Sequence, residues 1–173
     1  MSIKKILVTG ANGQLGWELS QLAKTLPVYE FIFLDRTQLD LAKPVSFEAI
    51  IHTIAPDLII NTAAYTAVDK AETEKELANT INAIAVQTLA SISMKNNIRF
   101  ITYSTDYVFN GQSIMPYLPE TKLDPINFYG QTKASGEQFA LHENPSTIII
   151  RTSWVFSSHG NNFVKTIDRK SVV

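Results

Sequence analysis

Apolar residues along the chain fall into two patterns that take turns. Short, mostly apolar runs, Ile3 to Thr9, Tyr29 to Leu34, Leu58 to Thr62, Ile98 to Ser104 and Thr147 to Thr152, have strand length and end at glycine or polar residues. Such runs suit strands covered on both faces of a parallel sheet, and the last reads as fully buried. Between them lie stripes with apolar residues three or four apart: Leu15, Leu19, Leu22 and Ala23, then Phe47, Ile50, Ile51 and Ile54, then Leu77, Ile81, Ile84, Ala85, Thr88, Leu89 and Ile92. These stripes predict helices opening near Gly13, running from Pro44 to about Ile54 and from about Glu74 to Met94. A further helix is predicted from about Phe128 to His142, and Thr37 to Leu41 reads as a short third strand. The alternation predicts an α/β, doubly wound parallel sheet in the order 3-2-1-4-5-6 with right-handed crossovers.

The first strand-to-helix junction carries a glycine triple, Gly10-Ala11-Asn12-Gly13-Gln14-Leu15-Gly16. With seven glycines in the chain, about 0.01 random matches to this triple are expected. Gly10 permits the tight turn, Gly13 lets a pyrophosphate approach the backbone, and Gly16 lets helix and strand pack closely. Asn12, Gln14 and Leu15 would line the same turn, where the helix-start N–H groups favour an anion. At the end of the second strand, Asp35 is placed to accept bonds from a ribose, while Arg36 could pair with a 2′-phosphate. The two together predict a site for NADH or NADPH. Asp40 and Leu41 would flank the adenine, and the small Ala63 and Ala64 after the Leu58 strand would let a cofactor lie against backbone.

Composition narrows the classes of function. The chain has 173 residues, 45% of them apolar and 18% charged, with a formal net charge of −1. That length suits one domain able to bury about 70% of its unfolded surface, and the near-neutral charge gives no sign of nucleic-acid binding. There are no cysteines, which excludes disulfides and thiolate metal sites, and His52, His142 and His159 lack metal-ligand spacing, so no metal site is predicted. No apolar run reaches the ~18 residues of a membrane span, and the start Met1-Ser2-Ile3-Lys4-Lys5 does not resemble a signal peptide, which leaves the cytoplasm as the expected location.

Tyr129 and Lys133 stand four apart at the start of the predicted helix, so both side chains can reach one bound cofactor. Alone the pair means little, since about 0.4 chance matches to this spacing are expected. Its place after the fifth of the six predicted strands gives it weight, because Thr105-Asp106-Tyr107 then lies at the ligand edge of the sheet. A carbonyl reduced by hydride develops negative charge on oxygen and needs a proton donor there. Tyr129 is the expected acid, Lys133 is expected to lower its pKa and bond the nicotinamide ribose, and Thr105 is expected to hold the oxygen, with Ser104 a weaker candidate. Val108 to Asn127, with Pro116, Pro119 and Pro125, reads as a long substrate-side loop.

Gly10, Gly13 and Gly16 together with Tyr129 and Lys133 resemble the extended short-chain dehydrogenase/reductase family, with its Rossmann-like fold. Asn61-Thr62-Ala63-Ala64-Tyr65-Thr66-Ala67-Val68-Asp69-Lys70-Ala71-Glu72, Tyr103-Ser104-Thr105-Asp106-Tyr107-Val108-Phe109 and Arg151-Thr152-Ser153-Trp154-Val155-Phe156 resemble the dTDP-4-dehydrorhamnose reductases within it. The resemblance implies reduction of dTDP-4-dehydro-L-rhamnose by NAD(P)H to dTDP-L-rhamnose, a dTDP-sugar substrate, and catalysis by Thr105, Tyr129 and Lys133. It also implies cofactor contacts from Tyr65, sugar contacts from Asp106, Tyr107 and Trp154, and a pocket lined by Val68 and Asn162.

Related dehydratases place a glutamate where this chain has Tyr107, which disfavours dehydration, because a carboxylate is needed to take a carbon-bound proton. A nucleotide-sugar epimerase of the same family stays open, as does a non-catalytic, reductase-like regulatory subunit, against which the intact Thr105, Tyr129 and Lys133 argue. Family members continue past this length with a substrate-binding lobe, so residues 1–173 are expected to be the cofactor-binding part with that lobe missing. The ending Arg169-Lys170-Ser171-Val172-Val173 departs from the family pattern. Some members bind Mg2+ through glutamates at a homodimer contact, one of them near Glu18. The other ligands would lie past residue 173, so a metal is not supported in this chain.

Overall fold

The Lys5–Thr9 run, here β1, is apolar on both faces because helices cover both, and it sits second in a five-stranded parallel sheet. The computed structural model describes residues 3–160 and 162–170; Met1, Ser2, Ser171, Val172 and Val173, which enter the reading above, lie outside the described residues. β1 pairs with β2 (Glu30–Leu34) and β3 (Leu58–Asn61), β3 with β4 (Arg99–Thr105), and β4 with β5 (Ile148–Thr152), giving the order β2-β1-β3-β4-β5.

Register places Leu7 beside Ile59 and Ile59 beside Phe100. That row forms one core layer with Phe47 and Ile51 of α2 (Phe47–Ile54) and Leu89 of α4 (Ala85–Lys95). Ile6, Val8 and Leu58 form the other layer, against Leu19 of α1 (Gln14–Ala23). Leu7, Phe47, Ile59, Leu89 and Phe100 are all at most 1% exposed, and burial of each stabilises the fold by about 1.5–3 kcal/mol.

The expected strand from Thr37 to Leu41 does not form, so the sheet has five strands rather than six and the other strands keep the predicted neighbours. The reason is local hydrogen bonding. Asp35 Oδ1 accepts from Thr37 Oγ1 at 2.6 Å, Thr37 N at 2.8 Å and Gln38 N at 3.3 Å, which curls the chain into a turn. Leu39 and Leu41 are nevertheless buried, under the turn instead of in a ladder. The Thr147 run also differs from expectation. β5 is an edge strand paired with β4 alone, and Ile148 is 55% exposed.

The long helix predicted from Glu74 to Met94 is one helical run in three parts: α3 (Lys75–Asn79), a π turn (Thr80–Ile84) and α4. A short 3-10 turn at Pro44–Ser46 leads into α2. α5 (Phe128–Glu143) starts where predicted, its N-terminus capped by Asn127 Oδ1, which accepts from Gly130 N at 2.7 Å. Such a cap stabilises a helix by about 1 kcal/mol. Val108 to Asn127 holds no helix or strand beyond the 3-10 turn Asp106–Val108. It folds back on itself through the stacked rings of Phe109 and Tyr117, 4.2 Å apart, and a 2.7 Å bond from Asn110 to Asp124. α6 spans Phe163–Lys170. No helix among the described residues is long and apolar enough to cross a membrane.

Two glycines set the junction that opens the site. Gly10 has φ of +73° and a Cβ there would meet Ala63 N at 2.9 Å, while a Cβ on Gly16 would lie 2.3 Å from Gly10 O. Only glycine lets α1 start this close to β1 and the segment after β3.

Candidate active site

A cleft of about 700 Å³ runs across the carboxyl ends of β1, β3 and β4 and reaches the chain after β5. A buried polar chain braces its floor. Thr9 Oγ1 donates to Asn61 Oδ1 at 2.6 Å, and Asn61 Nδ2 donates to Thr102 Oγ1 at 3.1 Å, which ties together the ends of β1, β3 and β4. Thr62 Oγ1 adds a 2.6 Å bond to Thr9 O, and it places Ala63 and Ala64 directly in the cleft wall.

At one end the glycine turn presents Gly10, Asn12, Gly13, Gln14 and Leu15. Gly13 is the N-cap of α1 and its N–H bonds Gly10 O at 2.9 Å, so the turn is held closed. Asp35, Arg36, Asp40 and Leu41 line the adjoining wall. The Asp35 carboxyl sits below its ordinary value because the Thr37 side chain and backbone bond it, with smaller help from Gln38 and Asn12. Asn12 Nδ2 reaches Asp35 Oδ2 at 3.3 Å, and Arg36 pairs with Asp40 at 3.4 Å. A closed glycine turn, a carboxylate held ionised at the end of β2 and an arginine beside it fit a dinucleotide in the place that the sequence assigned to it.

At the other end β4 delivers Thr105 and, just beyond, Asp106 and Tyr107, while the first turns of α5 deliver Tyr129 and Lys133; Val68 and Trp154 complete the wall. The Thr105 side chain lies beside the Tyr129 hydroxyl and draws its pKa down. Thr105 Oγ1 also donates to Asp106 Oδ1 at 3.1 Å and accepts from Tyr107 N at 3.2 Å, and the Tyr107 and Tyr129 rings meet edge to face at 5.6 Å. Ser104 Oγ is buried with no hydrogen-bond partner among the described residues. Lys133 Nζ donates to Tyr103 O at 2.7 Å.

Protonation here differs in one respect from expectation. Burial pushes the Tyr129 phenol above its ordinary value, and Thr105, rather than Lys133, opposes the rise. Lys133 itself is pulled down to about 8 by burial, with Glu137 acting the other way. The ammonium is directed at the Tyr103 carbonyl.

The cleft therefore gathers every residue assigned to the site from sequence except three. Gly16 lies behind the turn, where it sets helix-to-strand spacing. Tyr65 points away, its hydroxyl donating to Glu74 at 2.8 Å. Asn162 also lies off the cleft, where its Oδ1 accepts from Lys165 N at 3.1 Å at the start of α6.

Other contributors were not evident in the sequence. Asn82, in the π turn, accepts from Tyr65 N at 2.9 Å and donates to Tyr65 O at 3.0 Å and Thr132 Oγ1 at 3.1 Å, fixing α5 relative to the chain after β3. A Cβ on Gly136 would lie 2.1 Å from Asn82 O, so α5 crosses the π turn at closest approach. The segment after β5 straps the glycine turn. His159 stacks on Trp17 at 5.3 Å with Nε2 3.2 Å from Asn12 O, Ser157 Oγ donates to Glu18 at 2.6 Å, and Asn162 Nδ2 donates to Gln14 at 3.1 Å. Gly160 lines the cleft beside Gln14. Glu18 is thus occupied by a serine, and no group of three or more His, Cys, Asp or Glu among the described residues could hold a metal ion.

Three comparisons bear on this geometry. Residues 4–172 match the family model described as RmlD substrate binding domain. The dTDP-4-dehydrorhamnose reductase of Aggregatibacter actinomycetemcomitans is 42% identical over 165 residues, covering 95% of this chain and 56% of its own. Crystal structures of dTDP-4-dehydrorhamnose reductases from Bacillus anthracis, in complex with NADP, and from Clostridium acetobutylicum superpose with TM-scores of 0.91 and 0.93. Each is 39% identical and aligned over 97% of this chain and 59% of the other. The chain spans between a half and two thirds of the length of these relatives. It belongs to the family described as RmlD substrate binding domain, and these three relatives, which it resembles in sequence or in fold, are dTDP-4-dehydrorhamnose reductases.

Proposed function

We propose that the chain is the cofactor-binding part of a reductase that uses NADPH or NADH to reduce dTDP-4-dehydro-L-rhamnose to dTDP-L-rhamnose. The observation that carries this reading is the convergence in one cleft of Thr105, Tyr129, the buried Lys133 and the glycine turn. Names of the relatives support the sugar, and the NADP in the Bacillus anthracis structure supports the cofactor.

In this reading Gly13, Gln14 and Leu15 hold the pyrophosphate, Asp35 and Arg36 hold the adenosine ribose or its 2′-phosphate, and Lys133 holds the nicotinamide ribose. Bound reduced cofactor supplies a hydride to the carbonyl carbon. As the carbonyl electron pair moves onto oxygen, Tyr129 gives its proton to that oxygen and Thr105 donates a second hydrogen bond, stabilising the charge where it develops. A neutral phenol suits this direction, since the acid must carry its proton at the start. Burial keeps Tyr129 protonated. Asp106, Tyr107 and Trp154 are placed to contact the sugar, with the Val108 to Asn127 loop on the substrate side. A cytoplasmic location and a homodimer fit the same reading.

The test follows NADPH oxidation with dTDP-4-dehydro-L-rhamnose, using the 173-residue chain and a version extended to the relatives' length. The short chain is expected to bind NADPH without turnover, because contacts remote from the reacting carbon position a nucleotide sugar and contribute to rate as well as affinity. The extended version is expected to reduce the sugar. Failure of that version to oxidise NADPH with this sugar would overturn the proposed reaction, and an interconverted sugar with no net oxidation would identify an epimerase.

A further inference from the structure

One turn beyond Lys133 on α5 lies Glu137, only 4% exposed, and next to it from β5 comes Arg151. Arg151 Nη2 meets Glu137 Oε2 at 2.6 Å, and Nε meets Oε1 at 2.9 Å, so both carboxylate oxygens are held in a two-pronged pair. Arg151 is held in turn. Its Nη1 donates to Pro119 O at 2.8 Å, and its guanidinium lies 5.1 Å over the Phe109 ring. Tyr129, Lys133 and Glu137 stand at successive four-residue steps, so they share one helix face.

Lys133 is 6% exposed, and an isolated ammonium at such depth is strongly disfavoured unless a negative charge offsets the loss of water. The Tyr103 carbonyl supplies a dipole and no net charge. Tyr103, Asp106, Tyr107 and Tyr129 line the cleft with Lys133, and Glu137 and Arg151 lie one turn along α5. The elements packed against α5 add Asp69, Lys70 and Glu72 from the 3-10 turn Asp69–Glu72, Lys75 and Glu76 from α3, and Lys95 from α4, while the π turn carries none. Glu72 accepts from Phe128 N and Lys75 lies over the Phe128 ring, both at the start of α5. Asp106 is engaged by Thr105 at the open end of the site, and Glu137 is the buried carboxylate on the helix face of Lys133.

We propose that Glu137 is a positioning residue whose buried carboxylate keeps Lys133 charged and aimed into the cleft, and that Arg151 holds that carboxylate in place. The proposal rests on the cofactor role given to Lys133 above. Burial alone would take Lys133 lower than the value of about 8 that it reaches against the pull of Glu137. A pair serving only to join α5 to β5 would affect stability and leave the charge on Lys133 unchanged.

The experiment titrates NADPH into the 173-residue chain by cofactor fluorescence between pH 6 and 9.5. Wild type is expected to lose affinity as pH rises through about 8. Glu137→Gln is expected to move that midpoint down by about one pH unit, Glu137→Asp to keep it within a few tenths, and Arg151→Lys to lower thermal stability with a smaller shift. An unchanged midpoint in Glu137→Gln, with only melting temperature or affinity lowered throughout, would overturn the proposal, as would a pH-independent wild-type affinity. No saturable NADPH binding by wild type would instead overturn the cofactor reading itself. Should Glu137→Gln not fold, the Lys133 Nζ is titrated by 15N NMR in wild type, in Lys133→Arg as the assignment control, and in Glu137→Met. A midpoint unchanged between wild type and Glu137→Met would equally overturn it.

Discussion

Gly16→Ala adds a single methyl group behind the glycine turn and tests whether close packing there positions the site. The new Cβ would lie 2.3 Å from Gly10 O and 2.9 Å from Ala11 Cα, against 3.4 Å for an ordinary contact. Both neighbours are backbone, so no side-chain rotation relieves the overlap. The start of α1 must move away from β1 by about 1 Å, and well-packed interiors resist such shifts. Overpacking of this kind costs about 1–3 kcal/mol, and the backbone neighbours put this case at the upper end. For a chain of this size about 3 kcal/mol lowers the melting temperature by about 6–12 °C. The same shift moves Gln14 and Leu15, so NADPH affinity should fall at least ten-fold. Gly111→Ala is the control. It has open space around the Cβ and φ of +74°, so it should cost about 1–2 kcal/mol of backbone strain and leave NADPH affinity unchanged. Thermal unfolding followed by circular dichroism, together with NADPH titration, measures both effects. A Gly16→Ala protein melting within 2 °C of wild type with unaltered affinity would refute the reasoning.

In the version extended to the relatives' length, Tyr129→Phe is expected to cut turnover by ~10² to 10⁴ with NADPH affinity nearly intact, and Thr105→Val should cost less; steady-state kinetics checks both. Asp35→Ala should weaken NADH more than NADPH, since its carboxylate serves the ribose hydroxyls while Arg36 serves a 2′-phosphate, and paired fluorescence titrations with the two cofactors decide it. Stability should depend on pH through Lys133. Its folded value of about 8 lies below the ordinary 10.5, so between these pH values the unfolded chain binds more protons and stability rises with pH. The gain is on the order of 3 kcal/mol, partly reversed above pH 10 where the buried Tyr129 and Tyr103 hold protons that the unfolded chain releases. Denaturant unfolding at a series of pH values should show this rise in wild type and its loss in Lys133→Met.

Much of this arrangement was legible because it rests on local pattern. The apolar runs marked all five strands, and the glycine triple, Asp35 and the Tyr129/Lys133 spacing marked both ends of the cleft. Thr37 to Leu41 misled because its alternation was that of a strand, whereas the deciding force was the Asp35 carboxylate bonding the backbone two and three residues ahead. The depth of β5 was misread because a run of isoleucines carries the same pattern at a sheet edge as at its centre. Tyr65 sits in a matched motif yet faces Glu74, since the motif fixes its backbone through Asn82 and leaves the ring to its neighbours. The π turn and the His159 strap depend on contacts distant in sequence, which no local period records. Glu137 was within reach, because it continues the four-residue spacing of Tyr129 and Lys133.

The central claim, that this cleft binds a nicotinamide dinucleotide through the glycine turn, is tested most directly by titrating the 173-residue chain with NADPH and following cofactor fluorescence. One saturable site per chain is expected in wild type. It should be lost in Gly10→Val, where the side chain would meet Ala63 N and the left-handed backbone could not be kept, in a protein whose circular dichroism still shows a folded sheet and helices. Absence of saturable binding by wild type, or equal binding by a folded Gly10→Val protein, would contradict the account.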